Sequence, residues 1–104
     1  MTAEKILEVV EIYRKFFVEN NIGMTDYPHD DVLCDAKIGL EHCHGMLDKI
    51  VEFVREGRIE KALRWLGFIQ GFLWANGAYT LTDLMCHNRP DVEKTEGMRH
   101  NEAR

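Results

Sequence analysis

The run Glu56-Gly57-Arg58-Ile59-Glu60-Lys61-Ala62-Leu63-Arg64-Trp65-Leu66-Gly67-Phe68-Ile69-Gln70-Gly71-Phe72-Leu73-Trp74-Ala75-Asn76-Gly77 decides the fold. Apolar residues recur three and four apart from Ile59 to Leu73, the spacing of a helical face, and a glycine stands just beyond each end, where helices stop. The link Glu56-Gly57-Arg58 is so short that the helix following it must double back antiparallel on the helix before it, forming a helical hairpin.

The preceding helix is expected from about Val32 to Glu56, some 25 residues or roughly 37 Å at 1.5 Å per residue, capped by Asp30 or Asp31. Leu33, Ala36, Leu40, Cys43, Leu47, Ile50 and Val54 alternate three and four apart as a seam for near-parallel packing. Further upstream, Thr2 is placed to cap a first helix and Met1 and Ile6 to staple it. Its stripe is Ile6, Val9, Val10, Tyr13, Phe16 and Phe17, and it ends near Asn20. Between these helices, residues 20–29 carry the Asn, Gly and Pro punctuation of a loop. Downstream of Gly77, Thr80-Leu81-Thr82-Asp83 has the arrangement of a capping box, with Tyr79 and Leu84 spaced as a staple, and opens a short fourth helix that stops before Pro90. No alternating run argues for a strand. The expectation is an all-α fold: a small antiparallel helical bundle of three main helices plus a short fourth, as one domain over residues 1–89, with a flexible polar tail over 90–104.

At 104 residues there is room for one core and no large interdomain cleft. Lys+Arg 13 against Asp+Glu 18 gives a formal charge of -5, which offers no electrostatic basis for sequence-blind nucleic-acid binding. No apolar run approaches the ~18 residues needed to span a bilayer, and Met1-Thr2-Ala3-Glu4-Lys5 lacks the features of a signal peptide, so a cytoplasmic location is expected without membrane association. Cys34, Cys43 and Cys86 form no C-x-x-C pair and are odd in number, which fits reduced thiols.

At steps of about 100° per residue, the helix from Ile59 has three sides and no properly solvated one. Ile59, Ala62, Leu63, Leu66, Ile69 and Leu73 make an aliphatic stripe; Trp65, Phe68 and Phe72 make an aromatic ridge; Gly67, Gly71 and Ala75 leave a shallow groove between them. A domain this small does not easily surround one of its own helices. The ridge is covered either by the first helix and the tail of the same chain or by a second subunit, and a homo-oligomer, with a dimer favoured, is the expectation. Gln70 falls inside the aliphatic stripe, where it either reads the polar edge of a ligand or is satisfied by a neighbouring helix end, the ordinary state of a buried amide.

The search for chemistry gives less. His42 and His44 lie about 200° apart on a helix and cannot share an ion. Glu41, His44, Asp48 and Glu52 lie along one flank at spacings of three and four, and Glu-x-x-His is half of the ligand set of carboxylate-bridged bundles. The other half is missing, with only Glu8 and Glu11 on the first helix to complement it. The alternative is a solvated face in which Lys37 pairs with Glu41 and His44 with Asp48. His29, Asp30 and Asp31 read as a turn and helix cap. Cys86 and His87 have no third group to make a nucleophilic site, and no Gly-rich phosphate loop is present. No cofactor is implied.

The run Glu56 to Trp74, preceded by His42-Cys43-His44-Gly45-Met46-Leu47, resembles a group of small uncharacterised all-helical proteins of tailed bacteriophages, over somewhat less than half the chain. The resemblance implies a setting, the cytoplasm of an infected bacterium, and brings no activity, cofactor or site residue. It also implies stoichiometric action by binding, either inhibiting a host defence or housekeeping protein or sequestering a small nucleotide signal. The candidate binding residues are Trp65, Phe68, Gln70, Phe72 and Trp74, with Arg58, Lys61 and Arg64 to meet phosphate if the ligand is a nucleotide. If the ligand is a protein, the same aromatics are the anchors. Two other readings are a small metal-dependent nucleotide hydrolase, using Glu41, His44, Asp48 and Glu52 as ligands, and a structural or assembly protein.

Overall fold

The computed structural model describes residues 1–90; the expected tail from Asp91 onward lies outside the described residues. Four helices pack against one another: α1 (Ala3–Glu19), α2 (Ala36–Arg55), α3 (Ile59–Ala75) and α4 (Leu81–Asn88). The domain is all-helical, as its periodicity predicts. None of the described helices is long and apolar enough to cross a membrane.

The three long helices end in the same way. The amide of Ile22 donates to Phe17 O at 2.9 Å, that of Arg58 to Phe53 O at 2.8 Å and that of Ala78 to Leu73 O at 2.9 Å. In each case the preceding residue takes a left-handed backbone, at Asn21 (φ 57°), Gly57 (φ 77°) and Gly77 (φ 73°), so the last carbonyls are satisfied as the chain turns. At the other ends, Thr2 accepts from the amide of Lys5 at 3.1 Å, and Thr80 and Asp83 form the predicted capping box, each bond 3.0 Å long. The bond donated by the Thr80 amide, helped by the Thr80 hydroxyl, holds the Asp83 carboxyl below its ordinary range.

The second helix is shorter than its sequence predicts. It begins at Ala36, and its cap is Asp35, whose carboxylate accepts from the amide of Lys37 at 2.9 Å, in place of Asp30 or Asp31. Residues 28–31 instead form a turn, and 32–34 follow it outside any helix. The amide of Asp31 donates to Pro28 O at 3.3 Å, the Tyr27 hydroxyl donates to Val32 O at 2.9 Å, and Val32 is 90% exposed. The predicted seam is corrected as well. Leu33 and Ala36 are exposed and Leu40 and Val54 only partly covered, while Gly39, His44, Met46 and Phe53 join Cys43, Leu47 and Ile50 in the interior. α2 packs against α1 and α3 together, so two neighbouring faces are buried where the spacing suggests one.

The core is made by Ile6, Val9, Val10, Tyr13 and Phe17 of α1, the buried residues of α2, and Ala62, Leu66, Ile69 and Leu73 of α3, with Leu84 closing it from α4. Burial pushes the Cys43 thiol up to about 12, so it is inert packing. All three cysteines are free.

Candidate functional site

α3 has two flanks beside its core stripe, and the structure uses them differently. On the first, Gln70 donates through Nε2 to the Tyr13 hydroxyl at 2.9 Å and to Asn88 Oδ1 at 2.6 Å, while Asn88 Nδ2 donates back to Gln70 Oε1 at 3.2 Å. The Tyr13 hydroxyl, accepting from Gln70, also shares a hydrogen bond with His87 Nδ1, 3.0 Å away. The rings of Tyr13, Tyr79 and His87 meet at centroid distances of 4.8 to 5.7 Å. This network ties α1, α3 and α4 together. Gln70 is thereby held by a neighbouring helix end, and it faces away from the aromatic ridge. Burial raises Tyr13 to about 12, with the bond from Gln70 opposing the shift.

On the other flank lies a groove of about 510 Å³, lined by Tyr27, Pro28, His29, Leu33, Gly39, His42, Met46, Arg64, Trp65, Phe68 and Phe72. A smaller hollow of about 310 Å³ adjoins it and shares His29, His42, Met46 and Trp65. One wall is α3, the floor is α2, and the other wall is the loop between α1 and α2.

Four backbone groups bind that loop to α2. His44 Nδ1 donates to Ile22 O at 2.8 Å and lies 3.1 Å from Gly23 O. The Thr25 amide donates to Glu41 O at 3.1 Å, and the Tyr27 amide to His42 Nδ1 at 3.1 Å. The two histidines therefore hold opposite tautomers, His44 protonated on Nδ1 and His42 bare there. Two glycines let the pieces approach. A side chain at Gly45 would put its Cβ 2.8 Å from Thr25 O, and one at Gly39 would overlap the Phe72 ring and lie 2.9 Å from Leu33. The loop thus lies directly on the helix, and Phe72 occupies the space of the missing Cβ.

Apart from Gln70, which lies on the other flank, the expected binding residues separate into three places. Trp65, Phe68, Phe72 and Arg64 come together in the groove. Trp65 also meets Phe53 edge to face at 4.9 Å, while Phe68 stands 56% exposed at the lip. Arg58 and Lys61 lie over the Phe53 ring, at 5.3 and 4.7 Å from its centroid. Trp74, 51% exposed, sits at the far end of α3 beside the α3–α4 turn. The nucleotide arrangement expected from the sequence, three cations around an aromatic cluster, leaves only Arg64 in the groove.

The metal alternative is not assembled. His44 is only 4% exposed, stacked on Phe17 at 4.9 Å, with Nδ1 committed to backbone carbonyls and Nε2 buried without a partner among the described residues. Asp48 points to Arg14, at 3.0 Å from its guanidinium. Glu52 pairs with Lys49 at 3.6 Å. Among the described residues no three His, Cys, Asp or Glu side chains are grouped to hold a metal ion. A His buried to serve the backbone, with Asp48 and Glu52 turned to cations, does not converge with them on one point, although all four expected ligands lie on one flank of α2.

The sequence missed Tyr27, Pro28, His29, Leu33, Gly39, His42 and Met46 as groove residues. The only signal for them was the adjacency of an aromatic-containing loop to Gly39 and Gly45, two glycines inside a helix that neither turn nor end it. Asp26 lies at the meeting of the two hollows, its carboxylate 3.3 Å from His29 Nε2 and 3.9 Å from His42 Nδ1. Comparison with protein-family models, with curated proteins and with solved structures finds no match for this chain.

Proposed function

We propose that this chain acts stoichiometrically as a binding protein, its groove taking apolar side chains of a partner protein that are flanked by basic residues. The observation that carries this reading is the groove itself, preformed and mostly apolar, of a size typical for ligand sites, with Phe68 half exposed at its lip. The charges favour a protein partner over a nucleotide. Arg64 is the one Lys or Arg among the lining residues, and the loop forming the opposite wall carries Asp26, Asp30 and Asp31. These acids repel phosphates and attract lysine and arginine. The resemblance of residues 42–47 and 56–74 to small phage proteins supports a host protein as the partner and the infected cell's cytoplasm as the place.

The test follows the emission of Trp65 in a Trp74→Phe variant, which leaves it the only tryptophan. A basic amphipathic peptide is expected to shift that emission to the blue and to saturate at one peptide per groove, while ATP and a cyclic dinucleotide leave it unchanged. Saturation by either nucleotide with no response to the peptide would replace this reading by nucleotide sequestration. Silence toward all the probes would remove the groove as a site.

A further inference from the structure

The outward side of α3, opposite its core stripe, is formed by Glu60, Arg64, Gly67, Phe68, Gly71, Trp74 and Ala75, all exposed. From Gly67 to Ala75 that side carries no charge, although solvent-facing helix sides are ordinarily charged or polar. A Cβ built on Gly67 or on Gly71 meets nothing within 4 Å, so neither glycine is there to admit another part of the described fold. Phe68 and Trp74, each more than half exposed, border this flat strip. An exposed, uncharged apolar strip of this kind points to an interface.

We infer that two copies of this chain pair through α3 as an antiparallel two-fold dimer, with Gly67 of one copy against Gly71 of the other. The order of residues along the helix carries the choice of occupant. A two-fold contact is self-complementary, so if residue i meets residue j then j meets i. A two-fold axis at the level of Ile69 pairs Gly67 with Gly71, both without side chains, and brings Arg64 level with Trp74, a guanidinium facing an indole. The same two-fold is required by both pairs.

Charge points the same way. Around the start of α3, Arg55, Arg58, Lys61 and Arg64 outnumber Glu56 and Glu60, whereas around its end Asp83 is the only charged residue from Trp74 to Met85. Antiparallel pairing sets the basic end of one α3 against the acidic end of the other and aligns the helix dipoles favourably; a parallel pair would set like ends together. The groove lies on the adjoining flank and stays open, with Phe68 and Arg64 at the boundary between the two surfaces.

Sedimentation of the full chain over a concentration series tests the inference. A species of twice the 12.1 kDa chain mass is expected to appear as concentration rises. Gly71→Leu is expected to keep its helical content and unfolding midpoint at or above those of the parent, because its side chain has open space and glycine is a poor helix former. It should weaken association by at least about tenfold, by holding the helices apart. Arg64→Trp and Trp74→Arg should each weaken association, and the double exchange should restore it, since only the two-fold register brings these positions together. A monomer at every concentration overturns the proposal, as does a dimer indifferent to Gly71→Leu. Failure of the double exchange to restore pairing overturns the antiparallel register.

Discussion

The two flanks of α3 serve opposite ends. On the Gln70 flank, every polar atom of the amide and of the Tyr13 hydroxyl finds a partner on another helix, and the result is a closed joint between α1, α3 and α4. On the Trp65–Phe72 flank, the neighbour is a loop whose own hydrogen bonds go down to α2 and not across to α3. That leaves a gap between the loop and the aromatic rings, and the gap is the groove. A polar residue on a helix face therefore marks a joint when the opposing element is a helix end able to answer it. An aromatic residue marks an opening when the opposing element is already satisfied elsewhere.

Gln70→Leu attacks the closed flank and is expected to have the largest effect. It removes the hydrogen bonds to Tyr13 and Asn88 and leaves the Asn88 amide facing an apolar side chain, a loss of about 2–3 kcal/mol by urea unfolding. A cost below about 0.5 kcal/mol would mean that the joint is dispensable and that the two flanks differ less than their hydrogen bonds imply.

The second prediction uses the same joint through pH. Burial pushes the Tyr13 phenol up to about 12 in the folded chain, from its ordinary 10.0. Below pH 10 the phenol is neutral in both states and its contribution is fully present. Between pH 10 and 12 the unfolded chain loses its proton first, so unfolding is favoured and stability falls by up to about 2 kcal/mol. Phenolate absorbance should show a late tyrosine step coincident with loss of helicity, and Tyr13→Phe should remove one tyrosine's share of it, since burial raises Tyr79 as well. An early Tyr13 step with helicity intact would mean that the joint is open to solvent.

How far these features are legible in the sequence depends on where the partner of each residue comes from. The four helices and the Thr80–Asp83 box rest on spacings of three and four within one segment, and the fold reproduces them. The start of α2 was misplaced because three aspartates compete for the cap. Asp35 holds it, while Pro28 and Tyr27 draw Asp31 and Val32 into a turn. The role of Gln70 depends on Tyr13 and Asn88, 57 and 18 residues away, and no local pattern specifies them. The aromatic half of the groove was visible as a ridge on α3. The half made by His29, His42 and Tyr27 was not, because loop residues have no period, and His42 was set aside as lacking a metal partner when its actual bond is to a backbone amide.

Phe68→Ser is the smallest expected effect on stability and the sharpest test of the open flank. The ring is more than half in solvent and is not part of the core cluster, so at a protein concentration where sedimentation shows the monomer, stability by urea unfolding should change by no more than about 0.5 kcal/mol. The response of Trp65 to the basic amphipathic peptide should nevertheless fall by about tenfold or more, because an anchor at the lip contributes only when something sits against it. If Phe68→Ser destabilises the chain as much as Gln70→Leu does, the ring is part of the folded core and the flank is closed. If it changes neither stability nor peptide response, the groove extends no farther than Trp65 and Phe72, and the exposed ring belongs wholly to the outward face of α3.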